Sequence, residues 1–501
     1  MARARATEGE SGLIVDVATA LAGWSAAPGP LHRRLSKGLS EAIGRGELPA
    51  GARLPSERGL ARRLVVSRST VVAAYDTLVS EGLIESRHGS GTYVTGARGA
   101  PRSDRPTASA PILHRLLDDS DAGATIISLA TASVPPTSEL GPAMARAIDE
   151  DLSGLCLRSG YQPLGVPQLR TAVAEAMCED GVSTDPSQVI ITTGAHQALN
   201  LCASVLVRPG DWVAMEDPTY PGSIDAFAAA GGRLVPIEVD GEGMIPESLE
   251  RALAERSVAA ICVTPAFHNP TGTLLPLHRR RRLVEIAARY AVPIVEDHVL
   301  TYAQLSGFDA MPQPLAACAA DLDVPVFTVG SASKVFWSGL RIGWIRADEP
   351  WFTRLARRKA AADLGSSVLD QAVTARLFAQ LPGISTELRS ELIQRLTVCE
   401  TSLAAGLPGW SWERPRGGAS LWIDLGTEAS RFSQVALRHG VEVIPGTAFS
   451  ISGRWADYIR LPFTLPPRAM KDALERLHVA WANYRPDGEV EPRADDPAVV
   501  V

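Results

Sequence analysis

The sequence predicts two folded parts, namely a small winged helix-turn-helix near the N-terminus and a large α/β domain built on a mostly parallel sheet. Between residues 29 and 95, three short helical patterns separated by turns precede a glycine hairpin. From about Ile126 onward, short apolar runs alternate with helical stretches, which is typical of a sheet covered on both faces by helices. A chain of 501 residues is also too long for a single core.

Composition and charge narrow the class of protein. Apolar residues make up 46% and charged residues 21% of the chain, close to the average for globular proteins. The net charge of -7 argues against a chain that binds nucleic acid throughout its length. The six cysteines are scattered without a CxxC pair, which favours a reducing cytosol and neither a disulfide framework nor a metal site.

A secretory or membrane-bound protein is not expected. The apolar stretch from Leu13 to Ala27 is interrupted by Asp16 and preceded by acidic residues, unlike a signal peptide. No uncharged run approaches the roughly 18 residues that a membrane span requires. We therefore expect a cytoplasmic protein.

Residues 31–80 carry the three helical patterns. The first ends at Gly44 and Gly46, Ser56 opens the second, and Ser67 is a natural N-cap for the third. The third helix should leave Arg68, Ser69 and Thr70 at its exposed first turn. The apolar positions are Leu31, Leu35, Leu39 and Ile43 in the first helix, Leu60, Ala61 and Leu64 in the second, and Val71, Val72, Tyr75, Leu78 and Val79 in the third.

Two helices joined by a tight turn describe a helix-turn-helix whose second member enters the major groove of DNA. Residues 83–87 and 92–94 flank a glycine turn that contains His88 and Gly89, and they predict a hairpin wing. Residues 29–95 hold ten basic and six acidic side chains in a chain of net charge -7, so basic charge collects where phosphates would lie. The alternative is a solvated helical bundle with ordinary surface arginines.

This segment resembles the GntR-type winged helix in the stretch GELPAGARLPSERGLARRLVVSRSTVVAAYDTLVSEGLI and in the wing RHGSGTYV. The resemblance implies that Arg58 and Arg68 bind phosphates or base edges of a double-stranded DNA operator, and that Ser69 and Thr70 meet the backbone or bases. It also implies that His88 and Gly89 approach the minor groove. Only the residues of the third helix follow from the residue pattern as well.

A linker separates the two folded parts. Gly96 to Pro111 is rich in Gly, Pro, Ala and Ser and lacks an apolar period, which indicates a flexible connection. An ordered loop packed on the next domain is the alternative for part of it. We expect a DNA-binding domain at residues 28–95, a linker at 96–125, a second domain at 126–485 and a tail at 486–501. Within the second domain, a large part should span about 150–345, and a small part about 346–485 with the N-terminal portion.

Polar residues follow the apolar runs of the large domain, and parallel sheets bind ligands at the carboxyl ends of their strands. After Val189 to Thr192, the turn with Gly194, Ala195 and His196 enters a helix and predicts an anion site. Tyr220 and Asn269 follow the next two runs, where a ring can stack and an amide can donate to a ring oxygen. Asp297 follows Ile294 and Val295, where a carboxylate can pair with a protonated pyridine nitrogen. Taken singly, the glycine turn and Tyr220 are equally explained as a strand-to-helix turn and as core packing, and Asp297 is better explained as a helix cap. Coincidence does not explain the strand ends together.

Lys334 lies in the stretch Thr328 to Ala347, after Ser331 and Ser333 and seven positions before Arg341. A lysine amine is a covalent catalyst toward carbonyl groups, and the usual carbonyl partner in proteins is the aldehyde of pyridoxal phosphate. Two hydroxyl groups and a guanidinium can bind its phosphate. The apolar residues that follow would keep the site partly dry, which lowers the pKa of an amine. A surface lysine is the alternative.

Residues from about Ile126 to Tyr484 resemble fold type I pyridoxal phosphate aminotransferases, most specifically in NPTG at Asn269 to Gly272 and in SASK followed by Arg341. The resemblance implies that Lys334 forms the Schiff base and Asp297 contacts the pyridine nitrogen. It places Asn269 on the ring hydroxyl, Tyr220 on the ring face, and Arg460 on a substrate carboxylate. The residues implied around the phosphate are Gly194, Ala195, His196, Ser331, Ser333 and Arg341.

The chain departs from that family at one position. Aminotransferases place a tyrosine two or three residues beyond the aspartate, whereas this chain has Val299 and Leu300 there and the next tyrosine is Tyr302.

A winged helix joined to such a domain resembles the MocR/GabR-type regulators. The resemblance implies a homodimeric regulator that binds pyridoxal phosphate and senses the cofactor or an amino acid or amine through Lys334. The alternative is a working aminotransferase that carries a DNA-binding domain, or a cofactor domain with a structural role only.

Overall fold

The computed structural model describes residues 29–44, 47–49, 51–87, 91–95, 126–305 and 311–484, together with Val17, Leu21 and Trp24. The predicted linker and the predicted tail lie outside the described residues. The described chain forms two compact units. The first contains the described residues up to Ser128, Ser430–Glu442 and the described residues from Arg476 on, and the second contains Leu129–Ala429 and Val443–Glu475.

The N-terminal part is the predicted winged helix. Its helices are α1 (Leu31–Gly44), α2 (Glu57–Leu64) and α3 (Arg68–Ser80), and its strands are β1 (Arg53–Leu54), β2 (Ile84–Arg87) and β3 (Gly91–Val94). The strands form an antiparallel sheet in the order β1-β3-β2. The Oγ atoms of Ser56 and Ser67 accept hydrogen bonds from the Gly59 and Thr70 amides at 3.2 and 3.1 Å. Both serines are therefore N-caps, as predicted.

Helices α1 to α3 bury one common apolar core. The predicted residues Leu35, Leu39, Leu60, Leu64 and Leu78 are at most 1% exposed. The expectation for Val79 was wrong, because this side chain is 46% exposed and Ala74 takes an inward position on α3 instead.

The N-terminal segment adds to this core. Val17, Leu21 and Trp24 are buried in it. Trp24 packs closely on α1 at Gly38, where an added Cβ atom would lie 2.8 Å from the Trp24 Cβ. Three described residues of the apolar stretch from Leu13 to Ala27 therefore belong to the winged-helix core.

The second unit is organised around an eight-stranded, mostly parallel sheet, which confirms the predicted fold class. Its strands, in spatial order, are β5 (Val189–Thr192), β12 (Gly343–Arg346), β11 (Val326–Ser331), β10 (Ile294–Asp297), β9 (Val258–Val263), β6 (Trp212–Asp217), β7 (Arg233–Asp240) and β8 (Gly243–Met244). Neighbouring strands from β11 to β7 run parallel, whereas β12 and β8 are antiparallel to their neighbours. Apolar residues fill this sheet because both of its faces are covered.

Three of the helices around the sheet begin at a proline, which favours the first helical turn, and a fourth begins after the glycine turn at Gly194. The helices around the sheet are α4 (Leu140–Arg146), α5 (Leu152–Cys156), α6 (Pro167–Glu179), α7 (Ala195–Leu206), α8 (Pro221–Ala229), α9 (Pro246–Glu255), α10 (Leu277–Arg289), α11 (Leu315–Cys318), α12 (Trp351–Asp363), α13 (Val368–Phe378) and α14 (Leu381–Gly406). A single π-helical turn, Ala147–Asp151, joins α4 to α5.

A second, antiparallel sheet follows α14. It contains β13 (Ser411–Trp412), β14 (Ser420–Asp424), β17 (Tyr458–Pro462) and β16 (Ile444–Pro445), in that order. Helices α15 (Ala429–Arg438) and α16 (Pro467–Ala482) complete this part of the chain. Within the first unit, β4 (Ile127–Ser128) pairs in parallel with β15 (Val441–Glu442).

None of the helices in the described parts of the chain is long and apolar enough to cross a membrane. All six cysteines are free thiols.

Candidate cofactor site and nucleic-acid interface

The strands of the central sheet bring the predicted cofactor residues to one edge. Asp297 ends β10, and Lys334 follows the end of β11 in a 3₁₀ turn, Ala332–Lys334. Strands β10 and β11 are parallel neighbours in register, so these two residues leave the sheet side by side. Electrostatic interactions link Lys334 with Asp297, Arg341 and Arg460. The sheet therefore collects the residues that the sequence could only place at separate strand ends.

The amine of Lys334 has a lowered pKa. This pKa is lowered to about 8, mainly by burial and also by Arg460 and Arg341, while Asp297 opposes the shift. A larger neutral fraction at neutral pH favours attack on a carbonyl, because only the neutral amine has a free electron pair. The Nζ atom donates a hydrogen bond to the Ala132 carbonyl at 2.7 Å. Sequence reasoning missed this contact because it joins residues 202 positions apart.

Asp297 is buried beside the lysine. Its side chain accepts a hydrogen bond from the Val299 amide at 3.1 Å. The pKa of this carboxyl group is raised to about 6, mainly by burial and also by nearby Glu216, while the hydrogen bond from Val299 opposes the shift. A protonated ring nitrogen placed against Asp297 would supply the positive partner that the buried carboxylate needs.

Tyr220 and Asn269 have the polar groups and flat surface that a ring requires. The Tyr220 ring lies against Gly222, where an added Cβ atom would be 2.5 Å from it. Burial raises the pKa of Tyr220, and Asp297 adds to this. The Oδ1 atom of Asn269 is buried without a hydrogen-bond partner among the described residues. A buried side-chain amide without a hydrogen-bond partner in the protein is expected where a bound ligand supplies that partner.

The predicted phosphate residues converge at the start of α7. Gly194 has φ +80° and immediately precedes the helix. An added Cβ atom at Gly194 would lie 2.7 Å from Nη2 of Arg341, so the guanidinium rests on the turn. Arg341 also opposes protonation of His196, whose pKa is lowered mainly by burial. Helix amides and a guanidinium together form an anion site.

The two serines before Lys334 complete this group. The Ser333 amide donates to Oγ of Ser331 at 3.1 Å. The Oγ atom of Ser333 is buried and has no hydrogen-bond partner among the described residues. Strand β12 packs against the turn at Gly194, because a Cβ atom on Gly343 would lie 2.6 Å from the Gly194 carbonyl carbon. The sequence indicated the phosphate residues but not the antiparallel strand that joins β5 to β11.

Arg460 is buried on β17 and is 4% exposed. Its Nη2 donates to the Ala130 carbonyl, and its Nε has no hydrogen-bond partner among the described residues. The guanidinium carbon lies 5.0 Å from the Phe449 ring centroid. Burial lowers the pKa of Arg460 to about 10, with Tyr220 opposing this shift. A carboxylate ligand would supply the charge that this buried cation attracts.

Tyr302 does not replace the tyrosine that the aminotransferase pattern would have near Asp297. Its hydroxyl donates to Asp180 at 3.3 Å. Burial raises the pKa of Tyr302, and Asp180 raises it further. The departure noted in the sequence therefore holds in the structure.

The winged helix presents the predicted DNA-binding residues at the start of α3. Ser67, Arg68 and Ser69 are exposed, and Arg68 forms a salt bridge with Glu57 at 2.8 Å. Arg58 is exposed on α2, and Thr70 is partly exposed on α3. His88 and Gly89 lie outside the described residues.

The residues at the edge of the central sheet fit pyridoxal phosphate. They supply a lysine amine, a buried carboxylate, an orphaned amide end, an aromatic face and a helix N-terminus with a guanidinium. Together with a winged helix, this combination defines the class: a DNA-binding domain fused to an aminotransferase-like, cofactor-binding domain.

Comparisons with known proteins agree with this class. Residues 138–477 match the model of class I and II aminotransferases, and residues 31–94 match that of the bacterial regulatory proteins of the gntR family. The HTH-type transcriptional regulator YisV of Bacillus subtilis is 31% identical and covers 87% of this chain and 92% of its own length. The rhizopine catabolism regulatory protein MocR of Rhizobium meliloti is 33% identical over 63% of this chain and 65% of its own length.

A solved structure shows the same fold in the second part. The α-aminoadipate aminotransferase LysN of Thermus thermophilus, complexed with N-(5'-phosphopyridoxyl)-L-leucine, superposes with a TM-score of 0.66 and 28% identity. The superposition covers 74% of this chain and 94% of the LysN chain. Aminotransferases of this fold depend on pyridoxal phosphate. The chain belongs to the class I and II aminotransferase family and carries a gntR-family winged helix at its N-terminal side, the domain combination found in relatives named HTH-type transcriptional regulators.

Proposed function

We propose that this protein is a DNA-binding transcriptional regulator whose aminotransferase-like domain senses pyridoxal phosphate, or an amino acid or amine joined to it, through Lys334. The observation that carries the proposal is the convergence of Lys334, Asp297, Asn269 and Arg341 in a chain that also presents an exposed recognition helix. The operator is double-stranded DNA, and the protein works in the cytoplasm, in keeping with its free cysteines.

Each residue at the edge of the sheet has a distinct task. When bound, pyridoxal phosphate supplies an aldehyde for a lysine amine and a ring that withdraws electrons. Lys334 supplies the neutral amine, and Asp297 holds a proton on the ring nitrogen. Asn269 and Tyr220 orient the ring, while Arg341 and the first amides of α7 bind the phosphate with Gly194, Ala195, His196, Ser331 and Ser333. Arg460 binds the carboxylate of an amino acid.

The contacts of the two site cations support a sensing role. Lys334 and Arg460 donate to the carbonyls of Ala132 and Ala130, which lie two residues apart in one segment. We name residues 127–132 the entry segment, because the chain enters the aminotransferase-like domain through it. A carbonyl on the lysine or a carboxylate on the arginine competes for the same donors. Ligand binding therefore releases the entry segment from two of its anchors.

The first two residues of the entry segment, Ile127 and Ser128, belong to the first unit. Its β4 pairs with β15, and Ser128 donates to Glu442 at 2.6 Å. Helix α15, just before β15, contacts the winged helix at two points. Arg438 donates to the Val65 carbonyl at 2.7 Å, in the turn between α2 and α3.

The second point involves the N-terminal segment. Nε1 of Trp24 donates to Oε1 of Gln434 on α15 at 3.0 Å. Gln434 is itself buried, so this bond replaces water on a polar group that needs a partner. Within the first unit, α15 is thus bound to the winged-helix core through Trp24 and to the helix-turn-helix through Val65.

Titration of the purified chain with pyridoxal phosphate tests the cofactor role. We expect a visible absorbance change, and borohydride reduction should leave the cofactor on the peptide that contains Lys334. Lys334→Ala should abolish the covalent label, whereas Lys471→Ala, at an exposed position on α16, should retain it. Labelling of the Lys334→Ala variant to the same extent would contradict the assignment.

A working aminotransferase is the second candidate function. The lysine with a lowered pKa and the buried Arg460 favour it, as does a 31% identical relative, the 2-aminoadipate transaminase of Thermus thermophilus. Leu300, in place of a tyrosine, favours the regulator. Incubation with a panel of amino acids and one keto acid separates the two, because steady multiple turnover would reject a purely regulatory role.

We propose that the protein is a homodimer. The large apolar side chains exposed in the second unit include Leu157, Tyr161 and Leu364, which are 88%, 67% and 53% exposed. The chain next to Leu364 comes close to the chain next to Tyr161, because a Cβ atom on Gly365 would lie 2.6 Å from the Gln162 carbonyl oxygen. A second copy of the chain fits such a surface, since monomers rarely expose large apolar side chains together. Leu157→Asp should shift the mass in sedimentation toward a monomer, whereas an unchanged mass would contradict this interface.

A further inference from the structure

We propose that Lys359 is a positioning residue for the phosphate group of the cofactor, acting from behind the turn formed by residues 193–197. This inference rests on the proposed function, because it concerns how tightly that turn holds a phosphate. Lys359 lies on α12, 18 positions beyond Arg341, and none of the motifs in the sequence includes it.

Lys359 is a charged side chain without solvent exposure. It is 0% exposed, and a buried ammonium is stable only if each of its N–H groups has a partner. Nζ donates to both carboxylate oxygens of Asp363 at 2.6 Å and to Oγ of Ser366 at 3.1 Å. Its three donors are therefore used, and the charge is paired.

Asp363 and Ser366, the two partners of Lys359, also contact the turn formed by residues 193–197, which we name the phosphate turn. Nε2 of Gln197 donates to Asp363 at 2.7 Å. The hydroxyl oxygens of Thr193 and Ser366 lie 3.1 Å apart. Burial opposes ionisation of Asp363, but the hydrogen bonds from Gln197 and Lys359 outweigh it and lower the pKa of this carboxyl group.

These contacts fix the two ends of the turn. The Thr193 amide donates to Oε1 of Gln197 at 2.8 Å, which closes the turn on itself. Between these ends lie Gly194 with its positive φ and the first amides of α7. The direction of those amides determines how well a phosphate is bound, so the Lys359 network sets the geometry of the anion site without touching the anion.

The alternative is that Lys359 only ties α12 to α7 and stabilises the domain. The two roles predict different ligand dependence. If Lys359 positions the phosphate turn, its loss should weaken the affinity only for a ligand with a phosphate group. If it only stabilises the domain, its loss should weaken the affinity for ligands with and without a phosphate to the same extent. Pyridoxal phosphate and pyridoxal differ only in that group.

The test measures the dissociation constants of pyridoxal phosphate and pyridoxal for the full chain carrying Lys359→Met. We expect affinity for pyridoxal phosphate to fall roughly tenfold, the lower end of what supporting partners contribute to metal sites, with little change for pyridoxal. The exposed Lys471→Met is the matched control. Lys359→Met with Asp363→Asn removes both charges together and keeps the test valid if the single variant does not fold.

Equal losses for the two ligands, or no loss for either, would overturn the positioning role. If the unaltered chain binds neither ligand, the proposed function fails and this inference with it. Binding of both ligands by the unaltered chain, with a loss confined to pyridoxal phosphate in the variant, supports both.

Discussion

Replacing Asp297 with asparagine should stabilise the protein without cofactor while weakening its binding of the cofactor. The substitution keeps the shape and removes the charge. Asp297 is 6% exposed, and the pKa of its carboxyl group is raised from 3.8 to about 6. The folded pKa lies above the unfolded value, so folding favours the protonated form. The free energy of unfolding therefore decreases as pH rises from about 4 through about 6, because the buried carboxyl group then ionises.

The magnitude follows from the size of the shift. Roughly two pKa units at 1.36 kcal/mol each correspond to about 3 kcal/mol above pH 6. Urea unfolding of the chain without cofactor should therefore give a higher midpoint for Asp297→Asn at pH 7.5, and the two midpoints should approach each other near pH 4. The exposed Asp149→Asn is the control.

The opposite effect is expected for the cofactor. Asparagine cannot supply the negative charge that keeps a ring nitrogen protonated, so pyridoxal phosphate should bind more weakly to the variant. A midpoint at pH 7.5 that is unchanged or lower in Asp297→Asn would refute the buried charge, and so would a difference that does not depend on pH.

Three further predictions concern the DNA-binding surface, the contact at the helix-turn-helix and the lysine. Arg68→Ala should weaken DNA binding by about 1–3 kcal/mol and reduce its salt dependence, with unchanged cofactor absorbance, as checked by anisotropy titration; unaltered affinity would reject the recognition-helix assignment. Arg438→Met should raise amide exchange in residues 57–66, because the Val65 carbonyl loses its donor, and it should leave cofactor affinity intact; equal exchange would show that the contact does not hold the turn. The rate at which Lys334 joins the cofactor should rise with pH through about 8, because the neutral amine reacts; a flat stopped-flow profile would contradict a lowered pKa.

The winged helix and the large sheet could be predicted because local patterns determine them. Ser56 and Ser67 cap the helices that their spacing indicated, and the apolar runs became β5, β6, β9, β10 and β11. The sheet rule then placed Asp297 and Asn269 near each other, since residues after parallel strands share an edge. These inferences need only the residues on either side of each position.

Contacts between distant positions could not be read from such patterns. The partners of Lys334 and Arg460 are backbone carbonyls at Ala132 and Ala130, and any residue type supplies a carbonyl. Lys359 follows no motif, and its role depends on α12 packing against α7. Val79 was misplaced because helical periodicity marks an apolar face but not how far that face extends.

The most direct test of the sensing role of Lys334 compares DNA binding by the unaltered chain and by Lys334→Ala. Both are measured with and without pyridoxal phosphate, on DNA from beside the gene for this protein. If Lys334 carries the signal, pyridoxal phosphate should change the DNA affinity of the unaltered chain by about fivefold or more, the lower end of allosteric coupling. The Lys334→Ala variant should bind DNA equally in both conditions. The same change in both proteins, or no change in the unaltered chain, would contradict a sensing role for the lysine.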